Sequence, residues 1–204
     1  MNLRTLVAML VFGALLLTLM GCGGNGGGGG TATVIGMVRD DASMQTLANA
    51  TVRISDRAST QTGPDGRFTV VNAPTGSQTL TITAAGHDTF HGAVQLVDGT
   101  NSLGTCYVAP VTKPGCGGLT GTLVLPSGDT VDGGTVRSGP VSAVSRSDGS
   151  GRFTLYNVPA GSAQVTFYDP GTSANTTKWY TVRAGGITDV GDVLLEFQPP
   201  PPPG

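Results

Sequence analysis

The sequence predicts an all-β protein of two tandem seven-stranded antiparallel sandwiches, preceded by an N-terminal leader. Three observations support this: an apolar run at the start, apolar residues that alternate with polar ones afterwards, and an internal repeat. Charged residues make up only 12% of the chain while glycine is abundant, a composition typical of short strands joined by turns. No segment after residue 30 shows a capped 3.6-residue period, so we expect no helix there.

The first 21 residues have the pattern of a cleaved signal peptide. Residues 6–20 are almost wholly apolar and follow Arg4. This run is shorter than the about 20 residues that a membrane-spanning helix needs, and it suits the hydrophobic region of a signal peptide. Residues 19–22, Leu-Met-Gly-Cys, resemble the lipobox of bacterial lipoproteins. The resemblance implies cleavage before Cys22 and lipidation of its thiol; the alternative is an ordinary signal peptide or anchor helix with a chance cysteine.

Residues 22–31 form a glycine-rich tether, which behaves as a flexible coil and holds a folded body away from a bilayer. The lipoprotein resemblance implies two or three acyl chains, palmitate among them, and two or more chains anchor a protein stably. Gly23 is not an acidic inner-membrane retention signal. We therefore expect a cell-envelope location, at the outer membrane of a two-membrane cell, facing either the periplasm or the surface.

The charge balance excludes some partners. Removing residues 1–21 removes one arginine and no acid, which leaves 10 basic against 13 acidic residues, a net charge of −3. No basic block remains, so nucleic acid and anionic lipid surfaces are poor partners.

An internal repeat divides the body of the chain. Shifted by 85 positions, nine of the seventeen residues from Gly66 to Ile82 are identical, and a shift of 84 brings Thr51-Val52-Arg53 onto Thr135-Val136-Arg137. We interpret this as two copies of one domain at 32–110 and 118–198, with a linker at 111–117. A polyproline tail at 199–204 predicts an extended stub, spacer or docking peptide.

Alternation and turn signals predict the strands within each copy. Val34, Gly36 and Val38 alternate with other residues, as a half-buried strand requires. Asp65-Gly66 marks a tight turn between two strand-like runs. About seven short strands per 80 residues favour a sandwich.

Four sequence motifs characterise the two copies. They are Leu47-x-x-Ala50-x-Val52-x-Ile54, Thr62-x-x-Asp65-Gly66-x-Phe68, Asn72-x-Pro74-x-Gly76 and Asp148-x-x-Gly151-x-Phe153-x-x-x-Asn157-x-Pro159-x-Gly161. Through these residues the first copy resembles the carboxypeptidase regulatory-like domain, a transthyretin-like sandwich, and the second copy resembles it more distantly. In the resembled family this domain is a non-catalytic appendage. The second copy departs by lengthening the turn at Ser150-Gly151 and by a weak strand around Val136.

The cysteines suggest one disulfide. If Cys22 carries lipid, Cys106 and Cys116 remain as an even pair in an oxidising compartment. We expect them to form a disulfide that closes a short loop; two buried free thiols are the alternative, because spacing alone does not bring two side chains together.

Catalytic and metal-binding patterns are weak, so the sequence predicts no enzyme, no cofactor and no metal. In a strand, His87 and His91 would lie about 13 Å apart, too far to share one ion. No G-x-S-x-G elbow occurs. The aspartates that suggest paired carboxylates or calcium lie in predicted turns, which favours turn formation: Asp65, Asp129, Asp132 and Asp148.

Aromatic residues of the second copy form the candidate ligand-binding set, Tyr168, Trp179 and Tyr180. Exposed rings of this kind stack on sugars or cap a protein contact. The hypothesis requires Tyr168 and Trp179 to be solvent-facing and near each other, whereas composition favours Trp179 as a core residue.

The function predicted is a non-catalytic, lipid-anchored envelope protein with structural or adhesin-like interaction modules. The alternative is a carbohydrate-binding lipoprotein that captures polysaccharide through the second copy. Expected partners are the membrane and an envelope protein or polysaccharide; the sequence does not indicate an oligomeric state.

Overall fold

A computed structural model describes residues 30–197, and within them the chain forms strands and turns. The predicted signal peptide, Cys22 and the polyproline tail lie outside the described residues, as does all but the end of the tether. No helix within the described part is long and apolar enough to cross a membrane. The strands of the first half are β1 (Thr31–Asp40), β2 (Thr51–Ile54), β3 (Ala58–Gln61), β4 (Arg67–Pro74), β5 (Gly76–Thr83), β6 (Phe90–Leu96) and β7 (Gly99–Val108).

The second half repeats this series. Its weak-looking strand around Val136 is present with the same length as its counterpart β2. The strands are β8 (Cys116–Val124), β9 (Thr135–Ser138), β10 (Val141–Val144), β11 (Arg152–Pro159), β12 (Gly161–Tyr168), β13 (Asn175–Val182) and β14 (Ile187–Leu194).

The sheet topology confirms the predicted duplication. The first half has sheets of order β4-β1-β7 and β3-β2-β5-β6, and the second has β11-β8-β14 and β10-β9-β12-β13. Each order in the second half is the first-half order with seven added to every strand number. The fold class is therefore all-β, with seven strands in each sandwich of the described chain.

One pair departs from the predicted antiparallel arrangement. Strand β14 runs parallel to β8, with Ile187 opposite Gly118 and Leu194 opposite Val124. Parallel neighbours need a long crossover, and here the intervening strands β9 to β13 supply it. The periodicity of a strand is the same in both directions, so the sequence pattern did not distinguish them.

Each sandwich has its own apolar core between its two sheets. In the first unit Val34 and Val38 from β1 meet Leu80 and Ile82 from β5, all fully buried. In the second unit Phe153 and Phe167 meet edge to face, with ring centroids 5.6 Å apart. Burial of such side chains stabilises each unit by about 1.5–3 kcal/mol per residue.

Several residues shared by the two repeats are required by the backbone conformation. Gly66 and Gly151 have φ of +72° and +60°, and an added Cβ would lie 2.7 Å and 2.9 Å from the carbonyl oxygens of Val38 and Leu123. A side chain at either position is therefore excluded twice, by conformation and by space. This explains why glycine occupies both copies.

Asparagine occupies the equivalent position of a bulge in each unit. Asn72 and Asn157 have φ of +55° and +61°, and each lies where the register of β4 or β11 shifts. Asparagine adopts this left-handed conformation more readily than most residues. The shared Asn-x-Pro motif thus marks a bulge.

A buried hydroxyl joins two backbone segments in each unit. In the first unit Thr62 donates to the Leu47 carbonyl at 2.6 Å and accepts from the Ala50 N–H at 2.9 Å. In the second unit Ser145 donates to the Val131 carbonyl at 2.5 Å and accepts from the Gly134 N–H at 2.8 Å.

By its contacts the chain divides into two units, and the second takes in Asp40–Gln45 together with the residues from Ala109 onward. Within this second unit, Asp41 accepts hydrogen bonds from Arg146 and, at 2.7 Å, from the Tyr156 hydroxyl. The side chains of Asp41 and Arg146 are 11% and 10% exposed, so the ion pair is nearly buried. Burial, followed by the neighbouring Asp41 carboxylate, raises the pKa of Tyr156.

The predicted disulfide is not formed. Cys106 and Cys116 are free thiols in the structure. Cys106 packs in the core of the first unit, where burial raises the pKa of its thiol to about 11. Cys116 begins β8 and pairs with Pro159 in the second unit. The even cysteine count therefore gave the wrong prediction, because it carries no information about where the two thiols lie.

Candidate functional site

The outward face of the four-stranded sheet β10-β9-β12-β13 carries the candidate aromatic residues. Along β12 the burial alternates, with Val165 and Phe167 fully buried and Gln164, Thr166 and Tyr168 outward. Period-two alternation thus gives this strand one core face and one solvent face. We call the solvent side of the sheet the outer face of the second unit.

Strand pairing places Trp179 on the same face. Trp179 lies opposite Gln164, and Asn175 lies opposite Tyr168. Directly opposed residues of paired strands point to the same side, so both rings share the outer face. Trp179 is 66% exposed and Tyr168 is 40% exposed. The interpretation of Trp179 as a core residue was wrong.

Both rings face solvent, but they do not touch each other, so the requirement that they lie near each other is not met. Gln164 and Tyr168 are four residues apart on β12, about 13 Å at 3.3 Å per residue, and one strand spacing brings the Trp179–Tyr168 separation to about 14 Å. Between them lie Thr166 and Thr177, whose hydroxyl oxygens are 3.2 Å apart. The face therefore has two separate rings across a hydroxyl-bearing strip.

Tyr180 is not part of this face. It lies opposite Ala163 on the core side, and its ring meets Phe167 edge to face with centroids 6.2 Å apart. Partial burial raises the pKa of its hydroxyl. Of the three predicted ligand-binding residues, the structure brings only Tyr168 and Trp179 to the outer face.

Arg137 completes the outer face, and the sequence analysis did not select it. It pairs with Ser142 of β10 on one side and Thr166 of β12 on the other, so its side chain points outward. It is exposed. The repeat alignment gave the available signal, because the shift of 84 places Arg53 and Arg137 at one position.

The first unit has the equivalent face without the rings. An open depression of about 320 Å³ lies there. A shift of 85 places Thr83 and Thr79 where the second unit has Tyr168 and Gln164, and the partner of Thr79 is Ala93 rather than a tryptophan. The depression is lined by Thr51, Arg53, Ser59, Thr81 and Thr83.

The carboxylates predicted to form turns accept hydrogen bonds in those turns. Burial raises the pKa of Asp148, but hydrogen bonds from Ser150 outweigh it and hold the pKa below its ordinary value. Three of the four contacts join residues two positions apart, which is the pattern of turn formation, whereas Asp132 accepts from an N–H 17 positions away and so links two turns. The contacts are Asp65 with the Arg67 N–H at 3.1 Å, Asp148 with the Ser150 N–H at 3.0 Å, Asp132 with the Gly149 N–H at 3.0 Å, and Asp129 with the Ser127 hydroxyl at 2.8 Å.

The histidines contact different groups. His91 lies on β6 with Nδ1 3.3 Å from the Thr81 hydroxyl, while Nδ1 of His87 lies 2.9 Å from the Ala85 carbonyl. Within residues 30–197, no group of three or more His, Cys, Asp or Glu side chains is arranged to hold a metal ion.

Comparison with known families finds one match, and it lies in the first unit. Residues 33–104, about a third of the chain, match the model of the carboxypeptidase regulatory-like domain. Over these residues the first unit is similar to that domain. The second unit lies outside the matched residues, and its relation to the regulatory-like domain rests on the shared strand order and the repeat.

Solved structures with similar stretches include a Bacillus anthracis protein and two streptococcal pilins. They are the Bacillus anthracis TIE protein (17% identity, 81% of this chain and 34% of that one, TM-score 0.35), a streptococcal ancillary pilin (17%, 79% and 62%, 0.31), and the minor pilin GBS52 of Streptococcus agalactiae (12%, 86% and 100%, 0.30).

The chain thus spans about a third of the TIE protein and somewhat under two thirds of the ancillary pilin. At these TM-scores the likenesses assign no function to the chain. No curated protein matches the chain in sequence.

Proposed function

We propose that this is a non-catalytic, lipid-anchored cell-envelope protein whose two sandwiches act as a structural or interaction module of adhesin-like type. The lipobox-like residues 19–22 and the glycine-rich tether support the anchor. A tether of this composition lets a rigid sandwich reach a partner away from the membrane. The loops and sheet faces of the sandwich then present the contact surface.

The observation that carries the proposal is how five of the described acidic side chains are used. Three carboxylates accept hydrogen bonds within turns, a fourth links two turns, and Asp41 is held by Arg146 and Tyr156. General acid–base or nucleophilic chemistry needs titratable groups that converge on a shared cleft. Here these carboxylates stabilise turns and a buried ion pair, as expected of a non-catalytic domain that presents a binding surface.

Replacing the lipidated thiol tests the anchor. In its own host, Cys22→Ser should move the protein from the membrane fraction to the soluble fraction and abolish incorporation of radiolabelled palmitate. Cys116→Ser is the matched control and should stay on membranes. Retention of Cys22→Ser on membranes, with cleavage of residues 1–21 intact, would contradict lipid anchoring.

Polysaccharide capture is the second candidate function, and the exposure of Trp179 favours it. An indole that is 66% solvent-exposed loses the stabilisation that burial would give, so its position favours use at the surface. Tyr168 and the hydroxyls of Thr166 and Thr177 extend the same face. Flat rings stack on sugar rings, and hydroxyl and amide groups hydrogen-bond to sugar hydroxyls.

A glycan-array or polysaccharide pull-down with Trp179→Ala tests this candidate. Loss of a stacked ring should weaken binding about tenfold or more. Phe197→Ala is the matched control, since Phe197 is 58% exposed and lies off the outer face strands. Binding unaffected by Trp179→Ala, or absent from every polysaccharide, favours the purely structural or protein-binding role.

A further inference from the structure

We propose that the outer face of the second unit selects carboxylate-bearing polysaccharides, with Arg137 binding a sugar carboxylate on the strip between Trp179 and Tyr168. This inference rests on the polysaccharide-binding candidate above and adds the class of sugar. Three independent observations support it: the position of Arg137, the distribution of charge around it, and its freedom from a protein carboxylate.

Arg137 lies within reach of a chain that contacts both rings. Through Thr166 it shares a cross-strand row with Thr177, and this row is two residues from Tyr168 in one direction and two from Trp179 in the other. With about 4.8 Å between strands and 3.3 Å per residue, its backbone lies about 8 Å from Tyr168 and about 12 Å from Trp179. An arginine side chain spans much of either gap.

The charge of the face complements an anion. The outward positions of the four strands β9, β10, β12 and β13 carry one charged side chain, Arg137. Asp169, which directly follows Tyr168, has a buried side chain that accepts hydrogen bonds from the Gly171 and Thr172 N–H groups. Glu196, which pairs with Asn175 beyond the far end of the face, is about 16 Å from Arg137 by the same spacings. The remaining outward residues are Ser142, Thr135, Val144, Ser162, Gln164, Thr166, Tyr168, Asn175, Thr177, Trp179 and Thr181.

The guanidinium of Arg137 is not used by a protein carboxylate. Within the described residues no Asp or Glu lies at ion-pair distance from Arg137, whereas the equivalent Arg53 of the first unit lies 3.6 Å from Asp56. A guanidinium binds a carboxylate through two parallel N–H donors, which ammonium groups do not match. The guanidinium of Arg137 in the second unit can thus bind an external carboxylate, whereas that of Arg53 in the first unit pairs with Asp56.

Stacking on Trp179 and Tyr168 then recognises the sugar rings, and the charge of Arg137 recognises the carboxylate. Trp179 and Tyr168, about 14 Å apart, contact separate sugars of one chain, so the ligand is a polymer segment and not a single sugar. Stacking is indifferent to whether a sugar carries an acid. The preference for an acidic polymer therefore depends on Arg137, and added salt should weaken it.

The test compares polygalacturonate with its methyl ester, which has the same backbone without the charge. The full mature chain should bind polygalacturonate about fivefold more tightly than the ester at low salt, the gain expected of an exposed charge pair. Arg137→Gln should abolish this preference and leave binding to the ester unchanged. Arg53→Gln is the matched control and should keep the preference, while Trp179→Ala should weaken binding to both polymers.

The outcomes separate this inference from the function on which it rests. Equal binding of the two polymers, or a preference that survives Arg137→Gln, overturns the assignment of acidic sugars while Trp179-dependent binding keeps polysaccharide capture in place. Absence of Trp179-dependent binding to these polymers and to a panel of neutral glycans overturns both.

Discussion

The two sandwiches have the same frame and different outer faces. The strand order is identical in the two units, and three pairs of residues occupy equivalent positions within or directly beside the strands. The pairs are Gly66 and Gly151, Asn72 and Asn157, and Thr62 and Ser145. On the exposed sheet, however, Ala93 and Thr83 of the first unit are replaced by Trp179 and Tyr168.

This difference shows which positions of a duplicated domain tolerate substitution. The shared glycines, asparagines and buried hydroxyls are constrained by backbone conformation or by buried hydrogen bonds, so a substitution there lowers the free energy of unfolding. Outward positions on a sheet carry little of that cost. The second unit therefore acquired two rings without altering the strand register.

The largest expected effect on this comparison comes from the nearly buried ion pair of the second unit, Asp41 with Arg146. Asp41→Ala leaves Arg146 nearly buried without its carboxylate and should lower the free energy of unfolding of the second unit by about 3–5 kcal/mol. Hydrogen exchange should show faster exchange across β8–β14 while β2–β6 keep their protection. The double variant Asp41→Ala with Arg146→Met should recover part of the loss; equal loss of protection in both units would contradict this assignment.

The shared glycines should respond alike in the two units. Gly66→Ala and Gly151→Ala each force an L side chain to positive φ against a carbonyl oxygen, and each should cost about 2–3 kcal/mol. Calorimetry of the single variants measures this. Gly149→Ala is a useful control, because its φ is positive but no atom lies within 4 Å of an added Cβ, so it should cost less. A cost in one unit alone would show that the frames are not equivalent.

The two thiols should differ in reactivity and in their effect on pH dependence. Burial raises the pKa of Cys106 from 9.0 to about 11, so the folded state holds its proton more tightly than the unfolded state. The protonated thiol therefore contributes to the free energy of unfolding. This contribution is fully present below pH 9 and is lost as the pH rises to about 11, at about 1.4 kcal/mol per pH unit.

Urea unfolding from pH 8 to 11 should show this fall in the free energy of unfolding. The Cys106→Ala variant should not show the fall, and the Cys116→Ala variant should show it as the unmodified protein does. Without reductant, the unfolded mature chain should label at both Cys106 and Cys116, and labelling at neither would indicate the disulfide that the structure lacks.

The smallest of these effects concerns the buried hydroxyls. Ser145→Ala and Thr62→Val remove one side-chain donor and leave a backbone carbonyl and a backbone N–H unpaired in each unit. Each should cost about 1–3 kcal/mol and mainly destabilise its own unit, as thermal unfolding would show. A neutral result at Ser145 would mean that the second frame does not depend on this contact.

The sequence was sufficient for the fold because local signals specify it. Alternation around Val34 and Val38, the Asp65-Gly66 turn and the 85-residue repeat depend on neighbouring residues and predicted both sandwiches. The parallel direction of β14 was missed because alternation has no polarity.

The site was harder to predict because it depends on contacts distant in sequence. Trp179 was a candidate ligand-binding residue for which composition favoured a core position, and its register opposite Gln164 shows that it faces solvent. The pairing of Asp41 with Arg146 joins residues 105 positions apart, which no local pattern indicates. The repeat alignment shows that Arg137 is equivalent to Arg53, but it does not show that Arg137 has no carboxylate partner among the described residues.

The fluorescence of Trp179, the single tryptophan of the chain, tests the central difference between the two units most directly. The folded protein should emit as a water-exposed indole and be quenched by iodide, and a bound polysaccharide should shift the emission to shorter wavelength and protect it. Emission of a buried indole that iodide does not quench in the folded, ligand-free protein would contradict the account, because the outer face of the second unit would then have no exposed ring.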